Sequence, residues 1–249
     1  MSSLPAIISD FTPISLGEMD GVKLMNRIDT KFAFKVATLP VLMENLIPFY
    51  QVLAIDGELI HDYKSLYYDT EDRKFYLDHH NGRVNRNKIR FREYVGSKLT
   101  FLEIKRKNNK GKTIKKRMKV DVISNQLSEK EQGYIEKIIG KPMNVEAKQW
   151  INFSRITFVH KTQKERLTMD VNLTFKNANE KGDLKHIVIA EVKQERMSRS
   201  SDFMRIAKEM HILPIRISKY CISTLKLDSG LKSNRFKEKV LFINKLKQA

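Results

Sequence analysis

The sequence has little cysteine, proline and glycine, and it has no long apolar run. Cys221 is the only cysteine among 249 residues, which excludes an internal disulfide and a cysteine-based zinc site. No apolar stretch approaches the roughly 20 residues of a membrane-spanning helix. The first residues lack the charged-then-apolar order of a secretion signal. These absences indicate a soluble cytoplasmic protein, and the lack of a proline- or glycine-rich linker predicts a single domain over residues 1–249.

The charge of the sequence is strongly one-sided. Lys and Arg number 47 and Asp and Glu 29, so the net charge is +18. Such an excess predicts an anionic partner, which can be nucleic acid, a phosphate-rich small molecule or a lipid surface. Most of the excess lies between Arg83 and Lys119, where 15 basic residues stand against two acids.

Basic and apolar residues alternate within this segment. Residues 88–92, for example, read Lys-Ile-Arg-Phe-Arg. A period of two predicts β-strands with one apolar and one charged face. Phe91 is therefore expected in the core, on the face opposite to Arg90 and Arg92. One strand of this kind is most often an ordinary solvated sheet face.

The pattern recurs in six strands, which makes a merely solvated face a weaker explanation. The charged faces are predicted to carry Arg27, Asp29, Lys31, Arg90, Arg92, Glu103, Lys105, Lys107, Lys115, Arg117, Arg166, Thr168, Asp170, Glu191 and Lys193. A sheet closed on itself would collect these side chains in one polar lumen. The predicted fold class is therefore α+β, with a closed antiparallel β-barrel and helices packed outside it.

Capping residues predict where several helices begin. Helix starts are expected at Thr38, at Asp69 or Thr70, at Ser128 and at Ser201. Residues 233–247 form a basic amphipathic pattern, which is typical of a helix docked on a core and less often of a membrane-surface element.

Other short motifs favour structural roles. Residues 108–111 are interpreted as a hairpin turn, because Arg106 stands where a P-loop needs its first glycine. His79 and His80 are expected to be solvated at a helix end rather than to bind metal. Cys221 is expected to be a buried core thiol.

The predicted lumen suits a chain of phosphates. Like-charged groups in one cavity repel each other unless an anion fills it, so losing Arg90 or Arg92 should leave folding nearly intact. A phosphate chain offers charge and bidentate acceptors to arginine. The acids on the same faces, which can bind Mg²⁺ or Mn²⁺, are Asp29, Glu103, Asp170 and Glu191. This combination favours metal-assisted phosphate chemistry.

A series of short motifs in a fixed order resembles a known family. The motifs are Arg27-Ile-Asp-Thr-Lys31-Phe, Tyr67-Tyr-Asp-Thr70, Lys88-Ile-Arg90-Phe-Arg92-Glu-Tyr94, Glu103-Ile-Lys105, Ile114-Lys115-Lys-Arg117, Ser154-Arg155, Glu165-Arg166-Leu-Thr-Met-Asp170, Glu191-Val-Lys193 and Ser218-Lys219-Tyr220. Together they resemble the VTC domain, the polyphosphate polymerase domain of the vacuolar transporter chaperone complex. This domain belongs to the triphosphate tunnel superfamily, together with CYTH proteins. The resemblance covers about residues 20–225.

The resemblance implies a tunnel in which the γ-phosphate of ATP is transferred to a growing polyphosphate chain with the help of Mn²⁺ or Mg²⁺. ATP and inorganic polyphosphate are the implied partners. The implied catalytic residues are Lys31, Arg90, Arg92, Lys105, Arg155 and Arg166. Further phosphate contacts would be made by Arg27, Lys115, Arg117, Lys193 and Lys219. The metal would be bound by Glu191. The alternation of faces agrees with this set except for Arg155 and Lys219, which rest on the resemblance alone.

The first strand departs from the pattern of the wider superfamily. Tunnel triphosphatases carry Glu-x-Glu-x-Lys there, whereas this sequence has Arg27, Asp29 and Lys31. Losing the first glutamate removes a metal ligand and adds a phosphate contact, which favours a polymerase over a two-metal hydrolase. A tunnel-type triphosphatase or polyphosphatase remains the alternative.

A non-enzymatic polyanion-binding module is the second class of function. A net charge of +18 permits it, but base stacking needs aromatic rings on the basic face, and Phe91 lies on the opposite one. Nucleic acid is therefore an unexpected partner. A peripheral membrane contact or a membrane-protein partner is compatible with the sequence, with a place at the inner face of a membrane, and the oligomeric state is left open.

Overall fold

The structure is a computed structural model that describes residues 4–19, 27–109, 113–195 and 201–248. Its helices are α1 (Leu4–Ser9), α2 (Leu39–Leu46), α3 (Lys74–His80), α4 (Glu129–Ile139), α5 (Asp202–Glu209), α6 (Lys219–Leu227) and α7 (Lys237–Gln248). Its strands are β1 (Pro13–Ser15), β2 (Ile28–Lys35), β3 (Tyr50–Ala54), β4 (Ile60–Asp69), β5 (Arg86–Tyr94), β6 (Leu99–Lys107), β7 (Thr113–Val120), β8 (Glu146–His160), β9 (Glu165–Lys176), β10 (Lys181–Asp183) and β11 (Ile187–Gln194).

The strands form one sheet, in which the main path runs β2-β11-β9-β8-β4-β5-β6-β7. Every pairing along this path is antiparallel. The short strand β1 adds a parallel pairing to β3, which itself pairs with β8. The prediction of an α+β fold built on a large antiparallel sheet is confirmed.

The sheet is not closed in the part of the chain that the structure describes. Strands β2 and β7 stand at the two ends of the path. The free edge of β2 is covered by the segment before α6: Phe32 forms a bridge with Pro214, and the Ile215 amide donates to the Lys31 carbonyl at 2.8 Å. The predicted closed barrel is therefore not confirmed, although a large antiparallel sheet with helices packed on it is consistent with a tunnel-type fold.

One face of the sheet, which we call the outer face, is covered by two groups of helices. Helices α1, α2 and α5 pack on the β2, β11, β9 and β8 part, around Phe32, Phe158 and Val188. Helix α4 packs on the β4, β5 and β6 part, where Phe91 and Ile104 are fully buried. Phe91 thus lies in the core, as the alternation predicts.

The opposite face, which we call the inner face, is apolar at one end and charged at the other. Its apolar end packs against α6 and α7, with Ile151, Phe175 and Tyr220 in one buried cluster. In β8 and β9 the register shifts between Asn152 and Ser154, and Asn172 has a left-handed φ of 54°. This irregularity changes the alternation of faces partway along both strands.

Helices α4 and α5 begin at their predicted capping residues, whereas α2 and α3 follow the prediction only in part. Thr38 precedes α2 without a capping hydrogen bond, and α3 begins after Arg73 rather than at Asp69 or Thr70. Ser128 and Glu131 form a reciprocal capping box at α4, and the Ser201 side chain accepts from the Met204 amide at α5. At α3 the Asp69 carboxylate accepts from the amides of Phe75 and Tyr76.

The C-terminal helix α7 packs on β2 and β11 through Ile243, while Leu241 and Phe242 are exposed. Among the described residues, no helix is long and apolar enough to cross a membrane. Strands β6 and β7 pair as the predicted hairpin requires, but the tip of that hairpin, residues 110–112, lies outside the described residues.

Candidate functional site

The charged end of the inner face contains three buried or half-buried carboxylates, and each is held between two cations. The three clusters are Arg90–Glu103–Lys115, Arg155–Asp170–Lys219 and Lys31–Glu191–Lys193. They draw residues from strands β2, β5, β6, β7, β8, β9 and β11 and from helix α6. Since residues along this face alternate with core residues, the strand pattern itself brings the clusters together.

In the first cluster, Glu103 is fully buried. The Nε and Nη2 atoms of Arg90 donate to its Oε2 atom at 2.9 and 2.6 Å, and Lys115 contacts its other oxygen. Burial raises the pKa of Glu103, but the charges of Arg90, Arg92 and Lys115 outweigh it and hold the pKa well below its usual range. Because Arg90 is a direct partner of this buried charge, the contacts argue against the expectation that its loss would leave folding nearly intact.

In the second cluster, Arg155 forms a two-point contact with Asp170, from Nε to Oδ1 at 2.6 Å and from Nη2 to Oδ2 at 2.8 Å. Lys219 contacts the same carboxylate. It does so from the first turn of α6, where the Ser218 side chain accepts from the Cys221 amide. Lys219 therefore belongs to a helix rather than to a strand, which is why alternation cannot assign it to a face.

In the third cluster, the two oxygens of Glu191 are divided between Lys31 at 2.7 Å and Lys193 at 2.9 Å. Burial opposes ionisation of Glu191, but Lys193 and Lys31 hold its pKa well below the usual range. Among the described residues, no group of three His, Cys, Asp or Glu side chains is arranged to bind a metal. A single carboxylate fits Mg²⁺ or Mn²⁺ that takes its remaining ligands from phosphates and water.

Two cations of the inner face, Arg92 and Lys105, have no ion pair with a carboxylate among the residues that the structure describes. Arg92 donates to the Ser65 hydroxyl at 3.2 Å. Burial and the charge of Arg90 lower the pKa of Arg92 to about 10. Burial and the charges of Arg90 and Arg92 hold the pKa of Lys105 well below its usual range. An added anion at these positions would relieve repulsion between the cations.

Lys88 extends this cationic region towards α6. Its Nζ atom donates to the Ser218 hydroxyl at 2.9 Å. Burial lowers the pKa of Lys88. Lys88 begins one of the motifs and lies on the same face as Arg90, but it was given no role among the predicted site residues, so it is an addition to the predicted site.

Tyr67 is a second addition to the predicted site. Its buried hydroxyl accepts from the Nη1 atom of Arg90 at 2.7 Å, and its ring stacks on Tyr220 at 5.0 Å. Burial raises the pKa of Tyr67, but Arg90, Arg92 and Lys88 together lower it below the ordinary value. The alternation of faces in β4 places Tyr67 on the inner face, and this pattern could have identified Tyr67 from the sequence.

The remaining predicted residues lie outside the three ion-pair clusters. Arg27 donates to Asp29 at 3.0 Å, and both side chains are exposed. Arg166 pairs across strands with Lys193. The guanidinium of Arg117 lies over the Phe101 ring, 4.6 Å from its centre.

The expectation that His79 and His80 are solvated is wrong. His80 is buried and accepts from the Arg235 amide at 3.2 Å, and His79 is half-buried. Burial and the charge of Lys88 lower the pKa of His79 to about 2.

The basic face has an aromatic ring that the sequence analysis did not consider. Phe91 lies on the outer face as predicted, but Phe101 lies directly opposite Arg92 across the β5–β6 pair.

Comparisons with known proteins give the following similarities. A Hippeastrum protein, described as an adenylyl cyclase with a dominant triphosphatase activity, superposes with a TM-score of 0.50 at 15% identity, over 81% of this chain and 97% of that one. A conserved hypothetical protein from Pyrococcus furiosus has a TM-score of 0.40 at 14% identity, over 78% of this chain and 99% of its own. No curated protein matches the chain. The VTC domain family matches residues 26–228, and the chain belongs to that family.

Proposed function

We propose that this protein is a polyphosphate polymerase, which transfers the γ-phosphate of ATP to a growing chain of inorganic polyphosphate. The observation that carries the proposal is the pair Arg92 and Lys105 on the inner face of a VTC domain. Arg92 is buried, Lys105 is half-buried, and neither has a carboxylate partner among the described residues. A phosphate chain would supply the missing negative charge and the acceptors that these groups need.

The surrounding residues would bind the phosphates in defined places. Lys88 and Lys105 would contact the phosphate chain through their compact ammonium charges. Arg92 would donate several hydrogen bonds to it from its planar guanidinium. Tyr67 accepts from Arg90, while its neighbours Arg92 and Lys88 are donors only. Its hydroxyl hydrogen is thus available to a phosphate oxygen, so Tyr67 would both contact the ligand and position Arg90.

The chemistry of the step places modest demands on the protein. Phosphoryl transfer needs the attacking and leaving oxygens in line and needs the charge of the transferred group neutralised. Lys31, Arg155 and Arg166 would supply that neutralisation together with Arg90 and Arg92. Glu191 would hold Mn²⁺ or Mg²⁺, which when bound neutralises charge on the phosphate oxygens.

The carboxylates would keep the cations in place when the site has no ligand. Each of Glu103, Asp170 and Glu191 holds two cations that would otherwise repel each other. When a phosphate chain enters, part of each cation's interaction can pass from the carboxylate to the ligand. The site would therefore be preorganised, and it would lose little free energy to rearrangement on binding.

A triphosphatase is the second candidate. The shared fold with the Hippeastrum protein favours it, because that protein is described as having a dominant triphosphatase activity. The position of Arg27 argues for the polymerase, since a first-strand cation cannot hold a second metal. In both cases phosphate is transferred within the same site, to a phosphate chain or to water.

Product analysis separates the two candidates. The purified protein is incubated with ATP and Mn²⁺, and ADP, free phosphate and acid-labile polymer are measured together. We expect polymer in amounts that match the ADP formed. Free phosphate without polymer, across several divalent metals, would instead assign a triphosphatase. Duplex DNA added at equal phosphate concentration should not displace labelled polyphosphate, and displacement would favour a general polyanion-binding module.

A further inference from the structure

Aromatic rings line the inner face next to the predicted phosphate contacts. Phe101 lies directly opposite Arg92 on neighbouring strands, so their Cβ atoms are about 5 Å apart. Tyr94 meets Phe101 edge-on, with ring centres 6.0 Å apart, and the Arg117 guanidinium covers the Phe101 ring at 4.6 Å. We call Tyr94, Phe101 and Arg117 the aromatic platform.

The platform lies at the end of the site that is far from α6. Lys88, near the start of β5, is bonded to Ser218 at the beginning of α6. Tyr94 ends the same strand six residues later, about 20 Å away at the usual rise of a strand. Phe101 and Tyr94 are only partly buried, and Arg117 is exposed. A ligand can therefore reach the platform from solvent while another part of it contacts Arg92.

A phosphate chain does not bind to such a surface, because aromatic carbons give phosphate oxygens no hydrogen-bond donor. A planar base does bind to it, since bases stack on aromatic rings and on the planar guanidinium of arginine. A single ligand that matches both Arg92 and the platform has a chain of phosphates at one end and a planar ring system at the other. This is the chemistry of a nucleoside triphosphate.

We infer that Phe101, Tyr94 and Arg117 bind the base of the donor nucleotide while its phosphates contact Arg92 and Lys105. This inference rests on the proposed function, because it takes the phosphate donor to be a nucleotide. Stacking depends on the flat face of a base and not on its pattern of hydrogen-bond donors and acceptors. ATP and GTP should therefore bind with similar affinity.

Binding of ATP and of inorganic tripolyphosphate, measured by calorimetry without metal, tests the inference. The Phe101→Leu variant keeps an apolar side chain and removes the ring. We expect it to weaken ATP binding about tenfold and to leave tripolyphosphate binding unchanged. Tyr94→Leu should also weaken ATP binding without changing tripolyphosphate binding, and it replaces Phe101→Leu in the test if that variant does not fold. Phe242→Leu, which removes an exposed ring on α7, should change neither affinity.

The other outcomes overturn the inference. Equal losses for ATP and tripolyphosphate would mean that the ring supports the phosphate contacts, and no loss for either would place the base elsewhere. Failure of the proposed function looks different, since in that case the unmodified protein would not bind tripolyphosphate at all. If the unmodified protein binds ATP no more tightly than tripolyphosphate, the role of the aromatic platform is wrong, while the proposed function still stands.

Discussion

Lys105 and Glu191 interact across the inner face, although four strands separate β6 from β11 along the sheet. The carboxylate of Glu191 raises the pKa of Lys105, against the larger lowering by burial and by Arg90 and Arg92. Two side chains on such distant strands affect each other only if the sheet curls. The curvature therefore brings one set of cations around a common space, even though the sheet is open between β2 and β7.

The two cations Lys105 and Arg90 should respond in opposite ways to removal of their charge. Lys105→Met removes a half-buried cation that lies near other cations, so the melting temperature should stay the same or rise. Arg90→Met leaves the buried Glu103 with Lys115 alone, so the free energy of unfolding should fall by about 1–3 kcal/mol. Both variants should lose activity. Thermal melts and product assays on the two proteins check this.

One result would contradict the prediction for Lys105. If Lys105→Met melts well below the unmodified protein, then its ammonium has a stabilising partner and is not available for phosphate. Phe91→Ala is a positive control for destabilisation, because Phe91 is fully buried and its loss should cost about 3–5 kcal/mol.

Binding of a phosphate chain should take up protons at pH values above the lowered pKa of Lys105. The pKa of Lys105 is held well below its usual range, so its ammonium loses its proton as the pH rises through that lowered value. A bound anion favours the charged form and raises the pKa again, so a proton is taken up and affinity declines as the pH rises. Calorimetry of tripolyphosphate binding in two buffers of different ionisation enthalpy measures the uptake.

Comparison of variants isolates the contribution of Lys105, because tripolyphosphate itself also titrates. Lys105→Met should bind with less proton uptake than the unmodified protein. Lys181→Met, which removes an exposed lysine on β10, should show the original uptake. Identical uptake in all three proteins would contradict the assignment of Lys105 to the ligand.

The hydroxyl of Tyr67 should matter for binding beyond its effect on folding. Tyr67→Phe keeps the ring stacked on Tyr220 but removes both the donor to phosphate and the acceptor for Arg90. The melting temperature should therefore fall, and tripolyphosphate affinity should fall about tenfold. Tyr220→Phe is the matched control, since its hydroxyl donates to buried Asp69. That variant should melt earlier and bind normally. Equal affinity of Tyr67→Phe and the unmodified protein would remove Tyr67 from the site.

Neutralising Glu191 should separate phosphate binding from the metal requirement. Glu191→Gln removes a negative charge that holds Lys31 and Lys193, so metal-free tripolyphosphate affinity should hold or rise. Turnover of ATP should fall, and the Mn²⁺ concentration for half-maximal activity should rise, because the carboxamide retains one oxygen ligand. An unchanged metal requirement would show that Glu191 does not bind the metal.

The alternation of basic and apolar residues was sufficient to predict much of this arrangement. It separated Phe91 from Arg90 and Arg92 because a strand directs successive side chains to opposite faces. The capping residue Ser128 likewise predicted the start of α4, since its side chain and that of Glu131 act locally.

Other features depend on contacts that are distant in sequence, and alternation cannot supply them. Lys219 reaches Asp170 only because α6 begins beside the charged end of the inner face. The irregularity at Asn172 changes which face each residue of β9 occupies. The burial of His80 depends on the segment around Arg235, 155 residues away. Closure of the sheet depends on how its two edge strands meet, which no local pattern describes.

A crystal structure with tripolyphosphate and Mn²⁺ tests the central claim most directly. The account predicts phosphate density on the inner face, in contact with Arg92, Lys105 and the Tyr67 hydroxyl, with the metal beside Glu191. Phosphate bound only on the outer face or on exposed lysines, with Arg92 and Lys105 left untouched, would contradict it.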